Sequence, residues 1–270
     1  MILSLKDVLE LMEEIAPHEI AESWDNPGLQ VGALNQTIKK IYFALDPTLD
    51  NIQKAISCKA DLLFTHHPLI LRPIRCVNLQ EYPGQVIEKA IKNGVSIVCM
   101  HTNLDSATDG INTILTELLP LNDVEILKES ETVKGVGLGR IGNLKEDMTL
   151  LDLINLFKKI FSIDKVRVVC NETDFNRPIK RIAIIGGSGG SLLSYAFQKK
   201  AELVVTGDVG YHDALNAISS GIILIDVGHF SSEKVPFVLF AKQFSERLKA
   251  KGFDIEVVID EKESEPFTII

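Results

Sequence analysis

The sequence predicts an α/β protein of two related lobes, each a largely parallel mixed sheet flanked by helices. Short apolar runs alternate with stretches of helical periodicity along most of the chain. The 270 residues suffice for one large domain or two modest ones. Two segments also repeat. Lys59-Ala60-Asp61-Leu62-Leu63-Phe64-Thr65 matches Lys200-Ala201-Glu202-Leu203-Val204-Val205-Thr206, and Asn93-Gly94-Val95-Ser96-Ile97-Val98 resembles Ser220-Gly221-Ile222-Ile223-Leu224-Ile225. We expect a first lobe over 1–127, completed by 230–270, facing a second over 128–229, with the boundary near Pro120–Lys128.

Taken in order, Ser4–Ala16 is an amphipathic helix. Ser4 and Asp7 form a capping box, Leu5, Val8, Leu9, Met12 and Ile15 share one face, and Pro17 ends it. A turn-rich stretch, Trp24-Asp25-Asn26-Pro27-Gly28-Leu29, follows. Ile41–Leu45, Asp61–Thr65 and Val95–Met100 read as strands, separated by helices Leu49–Ser57 and Gln85–Lys92. Val133–Ile141, threaded with Gly135, Gly137 and Gly139, suggests a strand with close backbone approach or bulges. Leu150–Phe161 is a helix and Val166–Cys170 a strand. The alternation then restarts with strands Arg181–Ile185, Leu203–Thr206 and Ile222–Asp226, and with helices Leu192–Lys200 and Asp213–Ser219. Helix Lys234–Lys251 and strand Ile255–Ile259 close the pattern.

Composition narrows the function. An apolar fraction of 46% with 24% charged residues excludes disordered, collagenous and coiled-coil classes. With 28 basic against 37 acidic residues the net charge is −9, which disfavours non-specific nucleic-acid binding. No apolar run approaches the ~20 residues of a membrane helix, and the first residues lack a signal-peptide pattern, so a cytoplasmic location is expected. Cys58, Cys76, Cys99 and Cys170 show no paired spacing. Cys58 and Cys99 fall in apolar segments and read as small hydrophobes in a reducing compartment.

Five of the six histidines follow predicted strands: His66 and His67 after Asp61–Thr65, His101 after Val95–Met100, His212 after Leu203–Thr206, and His229 after Ile222–Asp226. The C-terminal edge of a parallel sheet is where ligand sites form. His18, beside Pro17, reads as surface or capping. Adjacent histidines on an extended segment point in opposite directions, so His66 and His67 are expected to serve two ions rather than chelate one. Asp105 lies four residues after His101, and Glu233 four after His229. Imidazole with carboxylate suits Zn, Mn, Fe or Ni, and the absence of thiolate argues against a structural zinc. Two such cations roughly 3.5–4 Å apart activate water and clamp an oxyanion. Each pair alone also fits an ordinary surface histidine or ion pair; their convergence on one sheet edge carries the reading.

Two further features have two readings each, and a third has one. Gly186-Gly187-Ser188-Gly189-Gly190 is a flexible turn or a cradle of N–H groups for phosphate, although it lacks the P-loop ending and the G-x-G-x-x-G register. Trp24 is a core anchor or a platform for a substrate ring. Glu261-Lys262-Glu263-Ser264-Glu265 reads as a solvated tail.

Trp24-Asp25-Asn26-Pro27-Gly28-Leu29-Gln30-Val31-Gly32, Thr65-His66-His67-Pro68, His101-Thr102-Asn103-Leu104-Asp105 and Gly228-His229-Phe230-Ser231-Ser232-Glu233 occur in order. Together they closely resemble the NIF-three-like dinuclear metal-centre proteins, also called GTP cyclohydrolase 1 type 2 homologues, over Ser4 to Ile259. The chain looks like their short form. The resemblance implies two divalent ions per chain (Zn, Mn, Fe or Ni) in a site between the lobes. His66, His67, Asp105, His229 and Glu233 would be ligands, with Glu233 or Asp105 bridging. His101 and His212 match further histidines with proton-transfer roles. It also implies a toroidal homohexamer, a trimer of dimers, and a small nucleotide-like substrate. A hydrolase or cyclohydrolase would direct water at C8 of a guanine ring or at a phosphoester. A metal-delivery or storage protein and a scaffold with a structural metal are the alternatives.

Overall fold

The computed structural model describes residues 1–268. Contacts divide the chain into two compact units, Met1–Leu104 with Phe237–Pro266, and a second built on Asp105–Pro236.

The first unit starts with β1 (Leu3–Ser4) and α1 (Leu5–Ile15), then β2 (Gly28–Val31), β3 (Thr37–Ile38) and β4 (Lys40–Ala44). It continues with α2 (Leu49–Ser57), β5 (Leu62–Thr65), α3 (Gly84–Asn93) and β6 (Ser96–Cys99). The capping box forms as expected: Ser4 Oγ accepts the Asp7 N–H, and Asp7 accepts the Ser4 N–H at 2.8 Å. Three elements follow β6: α4 (Thr102–Ser106), α5 (Ile111–Glu117) and β7 (Leu121–Glu129). The second unit goes on through β8 (Gly137–Thr149), α6 (Leu150–Phe161), β9 (Arg167–Val169) and β10 (Pro178–Ser188). Then come α7 (Leu193–Gln198), β11 (Leu203–Gly207), α8 (Tyr211–Ser220) and β12 (Ile223–Asp226). Helix α9 (His229–Ala250) is divided between the units at Pro236, and β13 (Glu256–Ile259) belongs to the first.

The first sheet has the order β13-β4-β5-β6-β2, with β2 antiparallel at one edge and the other four strands parallel. Its central strands β4, β5 and β6 are buried on both faces, as parallel strands between helices must be. Tyr42, Ala44, Leu63 and Ile97 pack with Ile52, Val86 and Ala90 of α2 and α3. On the alternate face Phe43 and Phe64 stack at 4.6 Å and meet Phe237, Phe240 and Phe244 of α9. The second sheet has the order β7-β8-β10-β11-β12-β9; β10, β11 and β12 are parallel, and β7, β8 and β9 pair antiparallel. It is therefore more mixed than the sequence suggested.

The repeat is structural. In chain order α1, β2, β4, α2, β5, α3, β6 correspond to α6, β9, β10, α7, β11, α8, β12. Both series open on a capping box, Ser4 with Asp7 and Thr149 with Asp152. Both close their third helix on a left-handed glycine, Gly94 (φ 66°) and Gly221 (φ 70°).

Some expectations shift. The glycine-threaded strand begins at Gly137 and runs to Thr149. Gly137 has a φ of 154°, and a Cβ there would collide with the Lys128 carbonyl, the close approach that its composition suggested. Elements β1, β2, β3, α4, α5 and β7 were not anticipated. Of 230–270, residues 269–270 lie outside the described residues. Helix α9 begins at His229 rather than Lys234, with Pro236 inside it. No helix among the described residues is long and apolar enough to cross a membrane. All four cysteines are free, Cys99 buried, Cys58 and Cys170 half-buried and Cys76 exposed.

Candidate metal centre

In the first unit β5 delivers His66 and His67, and β6 delivers His101. The pair does not continue the strand. The His66 and His67 N–H groups both donate to one carbonyl, that of Leu45, at 3.1 and 3.0 Å. This turn brings the two rings to a centroid separation of 5.1 Å instead of pointing them apart. His101 lies 5.4 Å from the His66 ring and 5.5 Å from the His67 ring. One ligand nitrogen from each of the three falls within 4.8 Å of the others, a spacing that could hold an ion. The expectation that His66 and His67 diverge is corrected on this point. The structure also adds His101 to their group.

Each ring is held from behind. The Nδ1 of His66 meets the Met100 carbonyl at 2.7 Å, that of His67 meets Asp46 Oδ1 at 2.7 Å, and that of His101 meets Asp25 Oδ1 at 2.8 Å. Carbonyl and carboxylate oxygens only accept, so Nδ1 donates, and whenever the ring is neutral its lone pair lies on Nε2. This is the arrangement that prepares histidine for a metal.

Asp25 is the most enclosed of these supports, its side chain fully buried. Burial alone would raise its pKa, but the hydrogen bond and charge of His101, with Thr102 and the Asn26 N–H, bring it down to about 2. Thr102 donates to Asp25 Oδ2 through its N–H at 3.0 Å and its hydroxyl at 2.5 Å. Trp24 is 56% exposed and stands edge-on to His101 at 5.9 Å, so it is no core anchor.

In the second unit the start of α9 places His229 and Glu233 one turn apart, with Nε2 and Oε2 at 3.1 Å. Asp208 Oδ2 takes the His229 Nδ1 at 2.7 Å, repeating the pattern of the first unit. Glu233 is buried, and the glycine segment explains how. Gly187 (φ 65°) is so close that a Cβ would collide with the Glu233 carboxylate, and a Cβ on Gly190 would meet that of Asp213. Gly186–Gly190 is thus packing room beside two carboxylates, which makes it a poor cradle for phosphate. Two of its N–H groups are already taken: Gly186 donates to Asn112 Oδ1 and Gly187 to Ser232 Oγ, each at 2.9 Å.

Asp105 lies buried in α4. Its carbonyl accepts Asn112 Nδ2 at 2.9 Å, so Asn112 joins the Asp105 turn to the glycine segment. Buried Arg140 donates to the carbonyls of Gly137, Gly139 and Ala107. Burial lowers its pKa to about 10 against the opposing pull of Asp105, so it stays a cation at neutral pH. His212 is exposed in the first turn of α8, edge-on to Tyr211 at 5.4 Å.

Sequence reasoning missed Asp25, Asp46 and Asp208 as the supports of three histidines. Asp25 stood in a quoted motif and Asp208 two residues past Thr206, but nothing in spacing ties Asp46 to His67.

The donor set fits divalent metal: imidazoles in a defined tautomer in one unit, carboxylates with an imidazole in the other, and no thiolate. Comparison with known proteins agrees with this fold. The profile of Duf34/NIF3 (NGG1p interacting factor 3) matches residues 3–266. The chain belongs to that family. It is 35% identical over 268 residues to a Clostridium perfringens protein named GTP cyclohydrolase 1 type 2 homolog, covering 99% of this chain and all of that one. A crystal structure of a Bacillus cereus protein related to NIF3 matches with a TM-score of 0.92 over the whole of both chains, at 24% identity. The Staphylococcus aureus protein SA1388 matches with a TM-score of 0.90, 29% identity and 99% of each chain.

Proposed function

We propose that the chain is a metal-dependent hydrolase or cyclohydrolase acting on GTP or a related nucleotide-like substrate. His66, His67, Asp105, His229 and Glu233 would ligate two divalent ions. The observation that carries the reading is the common support of the histidines: four imidazoles each commit Nδ1 to an oxygen at 2.7–2.8 Å, which makes Nε2 the candidate ligand atom, and that of His229 lies 3.1 Å from the candidate ligand Glu233. The Clostridium relative's name supplies the substrate class.

Two divalent cations, when bound, make water more acidic and neutralise charge developing on oxygen. The chain's own residues do the rest. His66 and His67 hold a fixed tautomer, so no proton must leave Nε2 before it binds. His101 takes or returns a proton at Nε2, and the ionised Asp25 stabilises the imidazolium so formed. Trp24 offers an exposed ring face beside His101 for a planar base. The exposure of His212 suits proton exchange with solvent or substrate. Assembly as a homohexamer, implied by the family resemblance, belongs to the same proposal and is read by light scattering.

The test is consumption of GTP and other nucleotides by protein reloaded with Mn, Zn or Fe, followed chromatographically. Turnover with at least one metal, abolished by Asp105→Ala, is the expected result. No turnover with any of them would count against the enzyme reading and favour delivery or scaffolding.

A further inference from the structure

We propose that Glu263 is a positioning residue for the histidine pair, acting through the Leu45–Asp46 dipeptide. The proposal rests on the reading of His66 and His67 as metal ligands. The run Glu261–Glu265 was expected to be solvated, yet Glu263 is half-buried and its carboxylate caps the end of β4. Oε2 accepts the Leu45 N–H at 2.7 Å, and Oε1 accepts the Asp46 N–H at 3.1 Å and Asn51 Nδ2 at 2.5 Å.

What Glu263 clamps is what holds the histidines. The Leu45 carbonyl receives the N–H groups of both His66 and His67. The Asp46 side chain receives His67 Nδ1 at 2.7 Å. Asn51, itself bound to Glu263, also donates to the Asp46 carbonyl at 2.8 Å. Both backbone polar groups of Asp46 are thereby fixed, and its carboxylate is aimed. The segment reaches this place because β13 pairs with β4 and the chain is anchored just beyond it. The Asp260 N–H donates to the Phe43 carbonyl, while its carboxylate takes the Tyr42 hydroxyl at 2.8 Å and Lys54 Nζ at 3.0 Å.

The repeat supports the assignment independently. Ile41 pairs with Leu62 as Ile182 pairs with Leu203, so Leu45 and Asp46 correspond to Gly186 and Gly187. There, too, the two N–H groups beyond the regular pairing go to side-chain oxygens, those of Asn112 and Ser232. Capping these two N–H groups recurs where a candidate ligand must be placed. In the first unit the cap is a carboxylate from a distant part of the chain.

The experiment compares full-length wild type with Glu263→Ala, Glu263→Gln and, as a control, Glu261→Ala, whose side chain is exposed and pairs with Lys242 at 3.1 Å. Two readouts are taken on metal-free protein: exchange of the His66 and His67 amides, and the nitrogen-15 shifts of the His67 ring, which report its tautomer. Zn and Co titration is the third. Glu263→Ala should speed those two amides at least tenfold, mix the His67 tautomers and weaken metal binding about 10- to 100-fold, the usual cost of losing a support behind a ligand. Glu263→Gln keeps one acceptor and should fall between, and Glu261→Ala should match wild type. If Glu263→Ala does not fold, Glu263→Gln carries the comparison. Wild-type exchange, tautomer and affinity in a folded Glu263 variant would overturn the proposal. Wild type that binds neither metal would instead defeat the metal reading, and the metal-free readouts would still decide the role of Glu263.

Discussion

Strand β5 leaves the first sheet at Thr65 into His66-His67-Pro68, and its counterpart β11 passes Thr206 into Gly207-Asp208. Up to that point the two are nearly superposable in their bonding. Lys59 and Lys200 both turn left-handed at φ 60° before the strand. The Asp61 carboxylate accepts the Lys39 and Lys40 N–H groups at 2.7 and 2.9 Å, and Glu202 accepts those of Lys180 and Arg181 at 2.6 and 2.9 Å. At the tips they diverge. The first unit presents three imidazoles. The second presents glycines where side chains would collide, and so makes room for the carboxylate of Glu233 and the backbone of His229. The comparison teaches that capped ends and alternating burial define the frame, while the residues just past the strands set the chemistry and change without disturbing it.

The largest effect should come from His101. Alanine there leaves the five proposed ligands intact, so metal content should hold while turnover drops roughly 10²–10⁴-fold. Asp25→Asn should move turnover the same way, by less, because the ring keeps a partner at Nδ1. Equal metal loss in His101→Ala and Asp105→Ala would make His101 a ligand and render the two units more alike than proposed.

Next comes Arg140. The first unit supports its aspartates with N–H groups, a hydroxyl and histidine; the second places a buried guanidinium near Asp105. Arg140→Ala should lower stability by about 3 kcal/mol in urea denaturation, since it strips three carbonyls and a buried carboxylate of their cation. A loss below about 1 kcal/mol would show the site relaxing around the gap.

A pH effect separates the units more gently. Burial would raise the pKa of Asp260, but Lys54, Tyr42 and the Lys262 N–H outweigh it and hold the carboxyl below its ordinary value. A depressed folded-state pKa contributes stability above the unfolded value of about 3.9, and that contribution disappears as pH falls through the folded one. Asp260→Asn should therefore be less stable than wild type at neutral pH and approach it below about pH 4. Parallel stability curves would mean that the anchor is not electrostatic.

The smallest effect tests the equivalence itself. Gly94 and Gly221 are both left-handed with open space where a Cβ would sit. Alanine at either should cost about 1 kcal/mol, and the two costs should agree. A wide discrepancy would mean that the two turns resemble each other only in outline.

Much of this frame was legible. The expected bounds Leu49–Ser57 and Leu150–Phe161 are those observed, and in the structure Thr48 and Thr149 cap the two helices. What escaped was set by tertiary contact. Strand β7 carries Asn122-Asp123-Val124-Glu125 and little apolar alternation; it exists because β8 offers an edge. The helix start at His229 was obscured by Pro236, which reads as a first-turn residue yet sits a third of the way along α9. Histidines past strand ends announced the candidate centre. Their supports did not announce themselves, since Asp46 and Glu263 reach the His66-His67 turn from 20 and nearly 200 residues away.

The central claim is that these strand ends hold two divalent ions, with the histidine pair indispensable. Elemental analysis of purified wild type beside the double variant His66→Ala, His67→Ala measures it directly. The account predicts about two ions per chain in wild type and much less than one in the variant. A folded variant with the wild-type metal content would contradict it.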